Sequence, residues 1–323
     1  MPPRASSAWI LTTGEAGMRT QARALAMAVT DDVTEKVVRL RGLWRRAPAG
    51  FPMLLSGLDP ADALQPPWPD LIVSCGRRAA AVAIAVNKKA SGQICLVHVQ
   101  DPQTNPRCFD LVVAMGHDRV NGPNVLRVPT ALHDVTQEGL ASAAREWGSR
   151  FEFLPRPFLG VLLGGSTART RFTVEHADRL RERLMALQRE FGGAVLVVPS
   201  RRTPEDVVRH FEDAATEGGP LWAWTGAGEN PYRGVLALSD RLVVTADSIS
   251  MISEALATPH PVELFMIELG ARHTRFVDDL TRRKLVAPLT EESGAESRAA
   301  VYSTPIAAAA TMNVLSNRLA RAN

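Results

Sequence analysis

Short apolar runs alternate with amphipathic stretches along this chain, a pattern typical of strands and helices in a parallel α/β sheet. In the first half, the run Ala8–Thr13 leads through a glycine-bounded turn into apolar residues at helical spacing over Met18–Val29. In the second half, Phe158–Leu163, a turn at Gly164–Thr167 and the periodic stretch Thr173–Phe191 repeat this order. The pattern therefore predicts two α/β halves, each opened by a strand, a glycine turn and a helix.

The boundary between the halves is marked by a loss of periodicity. Two prolines interrupt the segment FEFLPRPFLG, which follows a predicted helix at Gln137–Arg150, so we place the linker near residues 150–158. A length of 323 residues also favours two domains, because single cores stop growing below that size. The predicted domains are residues 1–152 and 153–323, with a final helix over about 305–320.

The stretch Leu242–Leu264 changes sharply from a buried strand to a helix. On a helical wheel, Asp247, Ser250 and Glu254 share one face, which leaves the opposite face to pack. The N-terminus of such a helix favours an anion such as a diphosphate, and Glu254 lies one turn deeper, within reach of a ribose hydroxyl pair. The alternative is that Asp247 is only an N-cap and that the other two residues are solvated.

Three other polar loops in the second half also follow strands. Gly164–Thr167 is a glycine turn, Ser200–Arg202 offers two arginines as a phosphate clamp, and the loop Thr225–Tyr232 carries side chains that could read a nucleobase edge. Because carboxyl ends of parallel strands lie along one edge of a sheet, we expect all four loops to converge on one crevice. The predicted nucleotide-binding residues are Gly164, Gly165, Ser166, Thr167, Ser200, Arg201, Arg202, Glu229, Asn230, Asp247, Ser248, Ser250, Met251 and Glu254.

Several function classes are disfavoured by absent motifs. Neither glycine turn has the full GxGxxG spacing, and GxxxxGK[ST] and HExxH are absent. The seven histidines show no metal-ligand spacing, so we predict neither a metal site nor a bound cofactor. Lys and Arg exceed Asp and Glu by only 37 to 34, which is too small an excess to indicate nucleic-acid binding.

The composition also bears on the compartment. Three scattered cysteines without a CxxC pair suit a reducing environment, and no run approaches the ~18 apolar residues of a membrane span. With no signal-peptide pattern at the N-terminus, we expect a cytoplasmic protein. The basic and apolar segment around Trp44 either covers a core or docks peripherally on an anionic membrane surface.

Candidate chemistry in the first half lies in loops after predicted strands. His117 and Asp118 follow one strand and His133 follows the next, while Arg77 and Arg78 follow a glycine at a strand-to-helix turn. Such loops bind ligands in open α/β sheets, so His117 is a candidate base. The alternative reading is that each residue only shapes a turn or caps a helix.

Seven segments together resemble the mitochondrial-fission elongated-mitochondria (ELM1-like) family. They are PDLIVSCGRRA at 69–79, VQDP at 99–102, FDLVVAMGHD at 109–118, GPNVLRVPTALH at 122–133, SRRTP at 200–204, GENPY at 228–232 and VVTADSISMISEA at 243–255. The resemblance spans nearly the whole chain. It implies a GT-B-like α/β fold, with two Rossmann-like parallel-sheet domains facing across a cleft and a last helix that often crosses back to the first domain.

The resemblance also implies roles at particular positions. In the wider GT-B group a nucleotide sugar sits on the second domain, so the diphosphate would meet Gly164–Thr167, Ser248 and Ser250, and the ribose would meet Glu254. Many relatives place a histidine in the first-domain glycine turn as a base, whereas this chain has Glu15. The family usually reads TGKPV after the second-domain helix, and here the sequence is ATPHPV at 257–262.

Two functional hypotheses follow. The first is a metal-independent glycosyltransferase-like enzyme that transfers a sugar from a nucleotide sugar, with Glu15 or His117 as base and Arg201 and Arg202 on the leaving diphosphate. The second is a non-catalytic, nucleotide-responsive scaffold that recruits partner proteins, as the role of plant family members in fission implies. A nicotinamide-dependent epimerase is disfavoured, because the dinucleotide fingerprint and a Tyr-x-x-x-Lys pair are missing.

Overall fold

The computed structural model describes residues 5–46, 54–59, 64–166, 171–290 and 296–322. These residues form two compact units, Met1–Asp134 with Tyr302–Asn323 and Val135–Val301. The strands are β1 (Ala8–Thr12), β2 (Val33–Val37), β3 (Leu71–Cys75), β4 (Cys95–Val99), β5 (Leu111–Met115), β6 (Val125–Val128), β7 (Phe158–Leu163), β8 (Ala194–Pro199), β9 (Leu221–Ala223), β10 (Arg241–Thr245), β11 (Val262–Phe265) and β12 (Ala287–Pro288). The helices are α1 (Ala16–Val29), α2 (Arg77–Lys89), α3 (Gln137–Gly148), α4 (Val174–Phe191), α5 (Glu205–Thr216), α6 (Tyr232–Leu238), α7 (Ile249–Ala255), α8 (Ala271–Arg282) and α9 (Ser303–Ala322).

The first unit is built on a parallel six-stranded sheet of order β2-β1-β3-β4-β5-β6. Its central strands are apolar and buried on both faces, as expected where helices cover a parallel sheet. Helix α9 belongs to this unit, where Ser303 accepts the N–H of Thr130 at 3.1 Å and Thr304 accepts the N–H of His133 at 3.0 Å. The final helix of the chain therefore completes the first unit.

The second unit is built on a parallel six-stranded sheet of order β12-β11-β10-β7-β8-β9. Counted from β7, this is the order 3-2-1-4-5-6 of dinucleotide-binding folds. Apolar side chains of β7, β8 and β10 pack against the inward faces of α4 and α5, where Leu180, Leu184 and Phe211 are buried.

Helix α3 lies in the second unit, so the division falls at Asp134 rather than near the predicted residue 152. The reason is aromatic packing. Trp147 lies against Gly234 of α6, where an added Cβ would come within 2.3 Å of the indole, and Phe151 packs on Trp222 at 5.2 Å between ring centroids. The prolines that suggested the linker instead precede β7 inside the second unit.

The bounds of several elements differ from the predicted ones, because strand pairing and helix capping determine where an element begins. The sequence predicts a second strand over Lys36–Leu40, but β2 covers Val33–Val37, because Val33 is in register with Ala8 of β1. The Thr203-Pro204 pair predicts a helix with Thr203 as its N-cap, but α5 begins at Glu205 with Pro204 as its cap, and Thr203 bonds to the preceding loop. Helices α6 and α8 lie in segments for which the sequence predicted no helix.

Within the described ranges, no helix is both long and apolar enough to cross a bilayer. The ring of Trp44 packs on Gly57, and Leu40 forms an antiparallel bridge with Leu58. Residues 47–53 of this segment lie outside the described residues. Membrane docking by the segment stays a prediction.

Candidate functional site

The second sheet has one position at which the strand order reverses. From β7 the chain proceeds through β8 and β9 on one side, and it then returns to β10 on the other side of β7. Open α/β sheets bind ligands at the carboxyl ends of the two strands that flank such a switch point. Here those ends carry Gly164–Ser166 after β7 and Ala246–Ser248 after β10.

The two loops at this switch point are bonded to each other. The N–H of Gly164 donates to Thr245 Oγ1 at 2.7 Å, and the N–H of Gly165 donates to Asp247 Oδ2 at 2.8 Å. The hydroxyl of Thr245 in turn donates to Asp247 Oδ1 at 2.7 Å. Both glycine amides are therefore used within the protein, which differs from the predicted donation to a phosphate. Asp247 is a buried anchor of the turn and not an exposed ligand-binding group.

Both glycines are needed because the backbone is crowded. A Cβ on Gly164 would lie 2.2 Å from Asp247 Oδ2, and a Cβ on Gly165 would lie 2.0 Å from the carbonyl oxygen of Arg202. Real Cβ atoms do not approach other atoms so closely. The glycine turn thus brings the loops after β7, β8 and β10 into direct contact.

The loop after β8 is fixed to the same turn. Ser200 Oγ donates to the carbonyl of Gly164 at 3.0 Å, and Thr203 Oγ1 donates to the carbonyl of Leu163 at 3.1 Å. Ser200 therefore fixes the loop after β8 to the glycine turn, and its contact with a ligand stays a prediction. Arg201 and Arg202 remain exposed at the edge of the sheet.

Electrostatics link Arg202 and His273 to this edge. Burial raises the pKa of Asp247, against the opposing effects of its bonds to Thr245 and Gly165 and of the Arg202 charge. The pKa of His273 is lowered first by burial and then by the Arg272 charge, and Asp247 opposes this shift. Sequence reasoning missed His273, since α8 showed no signal that would place it at the switch point.

Helix α7 presents one accessible face. Ser248, not Asp247, is its N-cap, and the buried Ser248 Oγ accepts the N–H of Met251 at 3.4 Å. Within the described part of the chain, the N–H groups of Ile249 and Ser250 donate to no protein acceptor. The half-buried side chains of this face are Ser250, Met251 and Glu254, whereas Ile252 is buried.

The loop 225–232 meets α7 through a tyrosine. Tyr232, the first residue of α6, donates its phenol O–H to Glu254 Oε2. Asn230 Oδ1 accepts the N–H of Tyr232 at 2.9 Å, and Glu229 forms an ion pair with Arg150 at 2.7 Å. Asn230 therefore shapes the start of α6 and Glu229 pairs with Arg150, and their reading of a nucleobase edge stays a prediction.

A sequence model of the family described as mitochondrial fission ELM1 matches residues 16–315. The chain belongs to the mitochondrial fission ELM1 family. It is 29% identical over 231 residues to the mitochondrial fission protein ELM1 of Arabidopsis thaliana. The match covers 64% of this chain and 53% of that protein, so this chain spans about half of that relative's length. It is 24% identical over 327 residues to the uncharacterized protein RP120 of Rickettsia prowazekii, covering 88% of this chain and 90% of that one.

Solved structures with the same fold support the architecture of this ELM1-family chain. The UDP-GlcNAc 2-epimerase of Methanocaldococcus jannaschii aligns with a TM-score of 0.53 and 11% identity, over 98% of this chain and 99% of that one. MurG of Acinetobacter baumannii aligns with a TM-score of 0.52 and 10% identity, over 98% and 94%. At these identities the likeness shows the fold alone, which is the GT-B-like α/β fold.

The two predicted catalytic residues of the ELM1-family chain differ in access. Glu15 is exposed at the N-cap of α1, where it accepts the hydroxyl of Thr13 at 2.6 Å. The side chain of His117 is fully buried, with Nε2 3.4 Å from Asp118 Oδ1. His117 therefore cannot reach a substrate in this structure, and Glu15 is the accessible candidate.

The remaining predicted residues lie in the segment before α4. Ser166 Oγ accepts the N–H of Phe172 at 3.1 Å, which closes the turn onto the start of that helix. Thr167 lies outside the described residues. No group of three or more His, Cys, Asp or Glu side chains in the described ranges is arranged to hold a metal ion.

Proposed function

We propose that the second unit of this ELM1-family chain binds a nucleoside diphosphate or nucleotide sugar, and that the chain is a glycosyltransferase-like enzyme that transfers the sugar to an acceptor. The observation that carries the proposal is the set of bonded loops at the switch point between β7 and β10. They leave Arg202, Ser250 and Glu254 accessible at the edge where such sheets bind ligands.

Each accessible group has a matching part of the ligand. Arg201 and Arg202 suit the phosphates, since guanidinium groups bind phosphate oxygens in a bidentate manner. The side chain of Ser250 and the N–H groups of Ile249 and Ser250 add donors beside them. Glu254 accepts hydrogen bonds, so its partner is a hydroxyl donor such as those of ribose.

The proposed transfer uses protein cations rather than a metal. When the bond from the sugar to the diphosphate breaks, negative charge grows on the leaving phosphate, and Arg201 and Arg202 would stabilise that charge. Glu15 would accept the proton of the attacking hydroxyl. His117 has no part in this scheme because of its burial.

The names of the fold neighbours guide the choice of ligand. The Methanocaldococcus protein is a UDP-GlcNAc 2-epimerase, so UDP and UDP sugars are the first probes. Because this neighbour is an epimerase, epimerisation of a bound nucleotide sugar is a second reaction to test. Product analysis of any turnover would therefore examine epimerised as well as transferred sugar.

Isothermal titration calorimetry with UDP, ADP, GDP, CDP and their sugar conjugates tests binding. We expect at least one to bind, and we expect Glu254→Ala to weaken that binding about tenfold or more, the loss of a hydrogen bond to a charged group. Glu190→Ala, which removes an exposed carboxylate on α4, is the matched control and should bind like wild type. Failure of every nucleotide to bind would refute the proposed function.

The alternative is a nucleotide-responsive scaffold that recruits partner proteins, and the burial of His117 favours it because one predicted base is removed. Release of the nucleoside diphosphate from the bound nucleotide sugar, with a cell extract as the source of acceptors, separates the two. An enzyme should lose release in Glu15→Gln while keeping its affinity. Binding without release in wild type would support the scaffold.

A further inference from the structure

The bond between Tyr232 and Glu254 joins two segments that sequence reasoning treated separately. Tyr232 opens α6 and Glu254 lies on α7, and both side chains are half-buried. A hydroxyl bond to a carboxylate is roughly twice as strong as one between neutral groups. The phenol therefore restricts the orientation of the Glu254 side chain, which has several rotatable bonds.

Tyr232 is itself held in place from the other side. Its N–H donates to Asn230 Oδ1 at 2.9 Å, and two residues further along α6 the backbone at Gly234 lies against the indole of Trp147. The guanidinium of Arg150 stacks over the same indole at 4.4 Å and pairs with Glu229 at 2.7 Å. Helix α3 thus fixes α6, and α6 fixes the phenol.

The chemistry of Glu254 then defines what it can recognise. An ionised carboxylate only accepts hydrogen bonds, so phosphate oxygens are excluded as its partners and hydroxyl groups are suited. Ser250 lies one helical turn away on the same accessible face of α7. A ligand whose phosphates lie near Ser250 would therefore place a hydroxyl-bearing part, not a second phosphate, at Glu254.

The geometry points to Tyr232 as a positioning residue that orients Glu254 toward the ribose hydroxyls, so that the second unit selects ribonucleotides over 2′-deoxyribonucleotides. This inference rests on the proposed nucleotide binding. Tyr232 acts through Glu254 and contacts no ligand atom in this scheme. Preorganisation of the carboxylate is the source of the selectivity, because a group already held in its binding orientation loses less entropy when the ligand arrives.

Calorimetric titration with ribo and 2′-deoxy pairs tests the inference, starting with UDP against dUDP and extending to the ADP, GDP and CDP pairs. We expect wild type to bind the ribonucleotide about tenfold or more tightly than the 2′-deoxy form. Tyr232→Phe should weaken ribonucleotide binding by about tenfold and should weaken binding of the 2′-deoxy form, which keeps only the 3′ hydroxyl, by clearly less. Tyr302→Phe changes the only other tyrosine and should alter neither affinity.

A double-mutant cycle separates positioning from a merely structural role. If Tyr232 acts through Glu254, Tyr232→Phe should cause no further loss in a Glu254→Gln background. Equal weakening of both nucleotides, or a loss that adds fully to that of Glu254→Gln, would overturn the inference while leaving the nucleotide site intact. If wild type binds no nucleotide of either kind, the proposed function falls and this inference falls with it.

Discussion

Each unit has its own parallel six-stranded sheet with a switch point beside its first strand, but the contacts at the two switch points differ. In the second unit, polar bonds from Gly164 and Gly165 connect the loops after β7 and β10. In the first unit the switch point lies between β1 and β3, and there the thioether of Met18 packs against Gly76. One switch point is built from buried hydrogen bonds and the other from an apolar contact.

The difference shows that topology selects the edge of the sheet, whereas the loops select the chemistry. In the first unit, a buried polar pair lies within the sheet and away from the switch point, where Ser74 Oγ is 2.8 Å from His98 Nδ1 on the neighbouring strand. The net charge of the second unit also shows that its loops differ from the rest of its surface. The second unit contains more acidic than basic residues, so the arginines at its switch point are a local feature and not part of a basic surface.

The largest expected effect separates the two glycine turns. Gly165→Ala places a methyl group against the backbone of Arg202, which cannot move without the bonded loops, so we expect a loss of about 3 kcal/mol in the stability of the second unit and loss of nucleotide binding. In Gly14→Ala of the first unit, the added Cβ would contact only Val37 Cγ1 at 3.3 Å, and the backbone would be strained at a φ of +98°. We expect this variant to lose about 1 kcal/mol in stability. Urea unfolding, with hydrogen exchange to assign each unit, measures both.

The comparison fails if the two alanine variants lose similar stability, because the second switch point would then be no more crowded than the first. Binding supplies a second readout. Gly14→Ala should retain nucleotide affinity, since Gly14 lies in the other unit.

Acidification is the next largest effect and acts on the first unit. Burial lowers the pKa of His98 to about 3, so the folded unit keeps this imidazole neutral while the unfolded chain takes up a proton below pH 6.5. Stability from His98 is therefore complete above pH 6.5 and is lost toward pH 3, by about 1.4 kcal/mol per pH unit. Urea unfolding of the first unit from pH 7 to 4.5 should show this slope, and His98→Leu should reduce it.

Asp247 in the second unit should respond in the opposite direction. Its folded pKa is raised by burial, so the folded state binds a proton before the unfolded chain does, and its contribution to stability rises as the pH falls through the folded pKa. We expect Asp247→Asn to remove this rise in the unfolding of the second unit. An unchanged pH profile in that variant would mean that Asp247 does not control the turn as its bonds indicate.

The sequence predicted the fold where the apolar pattern was strong and local. The apolar runs Phe158–Leu163, Ala194–Pro199 and Val262–Phe265 predict three strands, and β7, β8 and β11 have these bounds. Helix α8 was missed, although its residues Phe276, Val277 and Leu280 form a buried face. Short helix α6 was hidden by the turn-forming residues before it.

The strands that carry the candidate site were predicted, but the bonds between their loops were not. Polar residues after apolar runs indicated loops at the carboxyl ends of parallel strands, since that inference depends only on topology. Which groups bond to each other could not be read from the chain, because Thr245 and Asp247 reach Gly164 and Gly165 across more than 80 positions. The contact of Tyr232 with Glu254 likewise depends on how α3 packs against α6.

The smallest expected effect is that of the switch-point arginines, and it tests whether an arginine at such a point is enough to bind phosphate. Arg202 and Arg77 are both exposed, and each lies at the carboxyl end of a strand in its own sheet, but only Arg202 lies beside the bonded loops and the Asp247 carboxylate. We expect Arg202→Gln to weaken nucleoside diphosphate binding about tenfold, or 1.4 kcal/mol, with a weaker dependence on salt. Arg77→Gln and the exposed control Arg209→Gln on α5 should bind like wild type. Equal weakening by Arg77→Gln would mean that phosphate is attracted by charge alone, and the distinction between the two switch points would then be wrong.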